Sequence, residues 1–102
     1  MGAQIFYATA TGQDILQAFE EARGRARRMH GSGGYSGTIT EKDSVTLFKE
    51  VGLTEDAAMA RADELLLADD PHISDKWGPA GVLPYTAADG TASWLFFGWA
   101  SS

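Results

Sequence analysis

The chain has 102 residues and no cysteine, which excludes disulfides, thiolate metal sites and a cysteine nucleophile. Its two histidines, His30 and His72, lie far apart in the sequence and form no paired-histidine zinc motif. No apolar run reaches the roughly eighteen residues that a transmembrane helix needs, so no membrane span is expected. The opening "MGAQIFYATATGQD" has no positive segment and too short an apolar run for a signal peptide. Phe6 stands where a myristoylation motif wants Ser or Thr. A cytoplasmic protein without membrane attachment is the expectation. Bases are scarce as well: eight Lys and Arg against fourteen Asp and Glu leave a net charge of −6. Such a chain repels nucleic acid overall, and the cluster Arg23, Arg25, Arg27 and Arg28, with Tyr35 as a stacking ring, is the one argument against that.

What is present suffices for one domain over residues 1–102, since 44% hydrophobic and 11% aromatic residues supply a core. "QIFYATA" (Gln4–Ala10) reads as a strand that is apolar on both faces. Thr11, with Asp14 three residues on, predicts a capped helix whose stripe is Ile15, Phe19, Ala22, Ala26 and Met29. Gly31 follows as its C-terminal glycine. "GTIT" and "SVTLFKEV" read as short strands joined by an exposed turn through Glu41 and Lys42. Thr54 caps a second helix, with Glu55 and Asp56 in its first turn and Ala58, Ala62, Leu65 and Leu66 as its stripe. After the irregular "DDPHISDKWGPAG", "GVLPYTA" and "TASWLFFGWA" form a hairpin around Asp89-Gly90, and Pro84 places the first of these at a sheet edge.

The expected fold is α+β in the order β-α-β-β-α-β-β, with two helices packed on one face of a mainly antiparallel four- to five-stranded sheet. One feature strains that picture. Trp94, Phe96 and Gly98 point one way along the last strand, and Leu95, Phe97 and Trp99 the other. The outer face would then be apolar and must be covered by the loop bearing Trp77, by a second copy of the chain, or by a foreign partner. The interface candidates are Tyr7, Trp77, Phe96, Phe97 and Trp99, and a homodimer or higher closed oligomer through that face is the expectation.

"HGSGGYSGTITEKDS" (His30–Ser44) concentrates glycine beside arginine. A Walker loop lacks its lysine here, because Gly37 is followed by Thr38 and Ile39. The dinucleotide fingerprint fails at Ser36, and the segment runs from helix to strand, the reverse of both motifs. A looser anion nest would use Arg27, Arg28, Ser32, Gly33, Gly34, Tyr35, Ser36 and Thr38. The plainer alternative is that these glycines only let the chain turn. Asp69, Asp70, His72 and Asp75 match no metal-ligand spacing and read as turn chemistry, so neither a metal nor a cofactor is expected. No Gly-x-Ser-x-Gly elbow is present, no catalytic residue is assigned, and an enzyme is the minority reading.

"GGYSGTITEKDS", "DKWGPAG" and "WLFFGWAS" resemble segments of small uncharacterised proteins of bacteria, phages and other mobile elements. The first of these usually reads there Gly-Tyr-Ser/Thr-Gly-Thr-Ile-Ala/Thr-Glu-Lys. The resemblance implies no activity. It implies that Tyr35, Gly37, Thr38, Glu41 and Lys42 form a defined element. The functional expectation is a small acidic binding protein, interacting with or inhibiting a protein partner such as a basic host factor. The alternative is a binder of nucleotides or other phosphate ligands at the glycine loop.

Overall fold

In the computed structural model, residues 2–30 and 37–101 are described. The elements are β1 (Ala3–Thr11), α1 (Ile15–His30), a 3-10 turn at Ile39–Glu41, β2 (Val45–Leu47), α2 (Glu55–Leu67), β3 (Ala80–Thr86) and β4 (Ala92–Ser101). The class is α+β, as the sequence predicts. The four strands form one mixed sheet in the order β1-β4-β3-β2, antiparallel except for β2 beside β3. "GTIT" supplies the 3-10 turn instead of a strand. Thr38 caps it, its hydroxyl accepting from the Thr40 N–H, and this local bond competes with strand pairing.

The helices do not share a face. α1 lays Ala18, Phe19 and Ala22 on Phe6, Ala10, Val82, Phe96 and Ala100. α2 lays Ala58, Ala62, Leu65 and Leu66 in a second core with Ile73, Leu83, Tyr85, Leu95 and Phe97. Residues alternate between the two cores along each strand, so the sheet is sandwiched between the helices. This corrects the one-face expectation and resolves the two-sided apolarity: the outer face is the floor of the α2 core. The loop after α2 helps to cover it through Ile73, packed near Gly81 and Phe97, while Trp77 stays 63% exposed.

Local chemistry explains the element ends. β1 runs to Thr11 because that residue pairs with Ser93, so Asp14 takes over the capping of α1. Its carboxylate accepts from the Leu16 and Gln17 N–H groups. Met29 is largely exposed and drops out of the apolar stripe. Thr54 caps α2 as expected, accepting from Ala57 N–H at 3.2 Å. The helix closes in a Schellman arrangement: the Asp70 N–H reaches the Leu65 carbonyl and the Asp69 N–H that of Leu66, with Asp69 left-handed at φ 55°.

Pro84 lies in an internal strand, not at an edge. Even-numbered residues of β3 turn their backbone groups toward β2: Ala80 N–H to Ser44, Val82 carbonyl to Phe48, Thr86 N–H to Leu53. The donor that Pro84 lacks would face the gap between Phe48 and Leu53, where no ladder partner stands. Lys42, expected in an exposed turn, is fully buried. Its ammonium donates to the carbonyls of Gly78, Lys76 and Asp75 at 2.9, 3.1 and 3.4 Å. The stretches "GGYSGTITEKDS" and "DKWGPAG" therefore meet at one side chain. Burial holds the Lys42 pKa below the usual lysine range, against a smaller opposing pull from Asp75.

Candidate interaction site

β1 is an edge strand nine residues long, paired among the described residues only with β4. Its even residues lie on the α1 side of the sheet, and Ile5, Tyr7 and Thr9 lie on the α2 side beside Trp99, Phe97 and Leu95. The backbone groups alternate as well. The Arg25 guanidinium donates to the Thr9 carbonyl at 2.8 Å from outside the sheet, so Thr9 faces the free edge. By the two-residue period, Ala3, Ile5 and Tyr7 present their N–H and carbonyl groups there too. From Ala3 to Tyr7 this row has no backbone partner among the described residues, and such a row is a template for another strand.

α2 packs over β3 and β4 and leaves the β1 end of its face open. There a hollow of about 340 Å³ is lined by Ile5, Tyr7, Asp63, Leu66, Leu67 and Trp99. Its rim carries exposed apolar surface: Ile5 is 36% exposed, Tyr7 43% and Leu67 88%. Asp63 is the one charged residue of the lining, and its carboxylate accepts a short hydrogen bond from the Tyr7 hydroxyl. That bond, with burial and the carboxylate's charge, pushes the Tyr7 pKa up to about 12. The site is an aromatic and aliphatic pocket with one acid in its wall, opening beside an unpaired strand.

Of the interface candidates, Tyr7 and Trp99 line this hollow and Trp77 is exposed elsewhere. Phe96 and Phe97 are fully buried, one in each core, and offer no surface to a partner. Of the anion candidates, Ser32, Gly33, Gly34, Tyr35 and Ser36 lie outside the described residues. Arg27 and Arg28 are exposed on the last turns of α1, and Thr38 caps the 3-10 turn. The neighbouring arginines are engaged: Arg23 with Glu20, and Arg25 with Glu21 as well as Thr9.

The acidic loop behaves as turn chemistry. Asp70 accepts from the His72 N–H and meets its ring, which holds the Asp70 pKa below the carboxylate range, and Asp75 accepts from the Trp77 N–H. Sequence reasoning missed Ile5, Asp63, Leu66 and Leu67 as site residues. The signal for Asp63 was its position four residues before Leu67 on α2, which puts both on one helix face. The chain matches no protein-family model, no curated protein and no solved structure.

Proposed function

We propose that the protein is a binding module that captures an extended segment of a partner protein as an added strand on β1. The observation that carries this reading is the free edge of β1 with the apolar hollow beside it. In strand addition, main-chain hydrogen bonds supply affinity and flanking pockets supply choice of side chain. Both parts are present here. The net charge of −6 favours a basic partner, and inhibition of such a partner is one outcome of occupying its segment.

The edge can be blunted without touching the ladder to β4. Ile5 turns its N–H outward, so Ile5→Pro removes a donor from the free side only, and edge strands tolerate proline there. Random-peptide display against the wild-type protein should enrich peptides with alternating apolar residues. Their binding should fall at least tenfold on Ile5→Pro, with circular dichroism confirming the fold. Should that variant fail to fold, Tyr7→Ser serves in its place. No enrichment, or binding indifferent to both variants, overturns the reading.

A further inference from the structure

We infer that the hollow beside Tyr7 receives a lysine or arginine side chain from the added segment, which makes the module selective for basic strands. The inference rests on the strand-addition reading above and adds its specificity. A strand paired to β1 would lie about 4.8 Å beyond it, with side chains on the α2 face about 5 Å from those of Ile5 and Tyr7. A side chain there enters the hollow from its open end. The walls suit a long aliphatic stem, since Ile5, Leu66, Leu67 and Trp99 are apolar.

The head of that side chain is fixed by the charge on the exposed α2 side of the hollow. Asp63 is a carboxylate, no basic residue lines the hollow, and the rings of Tyr7 and Trp99 flank it. An ammonium or guanidinium would meet a charge-assisted acceptor beside two aromatic rings. A carboxylate entering the same space would meet Asp63 as a like charge. A purely apolar side chain would fill the walls and leave Asp63 with the Tyr7 hydroxyl alone.

Fluorescence anisotropy with labelled Thr-Val-Thr-X-Thr-Val-Thr peptides tests this, X being lysine, arginine, norleucine or glutamate. Lysine and arginine should bind at least tenfold more tightly than norleucine, with glutamate weakest, and added salt should narrow the gap. Asp63→Asn should bring the lysine peptide to the norleucine level and leave norleucine binding within about twofold. If norleucine matches lysine, or the lysine preference survives Asp63→Asn, the specificity is refuted. Norleucine binding that is lost on Ile5→Pro would still uphold strand addition. If no peptide binds, both readings fall together.

Discussion

Replacing Lys42 by methionine keeps the apolar stem and deletes the ammonium that holds three carbonyls of the Asp75–Gly78 loop. Two effects oppose each other. A buried acceptor left without a donor costs about 1–3 kcal/mol. Removing a buried ammonium recovers a desolvation penalty that amounts to several kcal/mol for a bare ion. The lysine here has three carbonyl partners and Asp75 nearby, so much of that penalty is already offset. The loop can also open and rehydrate its carbonyls, which caps the loss. The expected net cost is about 2–3 kcal/mol, a shift of about 1–2 M in the urea midpoint at an m-value typical of a small domain. Hydrogen exchange should quicken first at Gly78, whose N–H bonds the Asp75 carbonyl, before the two cores respond. The pH dependence adds a second test. Because the folded pKa is depressed, the unfolded chain binds more proton between that value and 10.5, so this group lends stability as pH rises through the window and nothing changes below it. Lys42→Met should lose that slope. A methionine variant as stable as the wild type in urea would refute the account of Lys42 as the pin of the loop.

Tyr7 should titrate near pH 12 by phenolate absorbance, and Asp63→Asn should return it toward 10. Its stabilising share is complete below pH 10 and lost as pH rises to 12; a titration near pH 10 that loses amplitude on Tyr7→Phe would contradict the bond to Asp63. Gly81→Ala would set a methyl 2.7 Å from Cζ of Phe97 and 3.1 Å from Cγ2 of Ile73. Overpacking of this kind costs about 1–3 kcal/mol, or a melting point lower by roughly 4–8 °C per kcal/mol, and an unchanged calorimetric melt would show that the ring has room to move.

The sequence disclosed most of the elements, because strand alternation, helical stripes and caps are local properties. β1, α2 from its Thr54 cap, and the hairpin of β3 and β4 all lie where periodicity places them. The side of the sheet that each helix takes is not local. Ala58, Ala62, Leu65 and Leu66 specify a buried stripe but say nothing of which strand faces will meet it. The two-sided apolarity of β4 was the visible clue, and a helix on each side satisfies it without a second chain. Lys42 was illegible for a different reason: a lysine beside a glutamate reads as solvent-exposed, and its partners lie more than thirty residues away. The site was half legible. Tyr7 and Trp99 stood out as aromatics, whereas Asp63 and Leu67 gain meaning only once α2 crosses beside the free edge of β1.

Phe96 and Phe97 are neighbours in sequence, and each is the buried ring of a different core. Inserting or deleting one residue ahead of them in β4 would exchange their destinations, delivering each ring to the wrong helix. A strand with one wet face could absorb such a slip by presenting its polar side inward at a moderate loss, but β4 has no wet face to offer. Its residue count is therefore constrained as tightly as its composition. Changes of chain length are accommodated instead at the exposed hairpin tip, Ala88–Gly90, where added residues leave the phase of both strands intact.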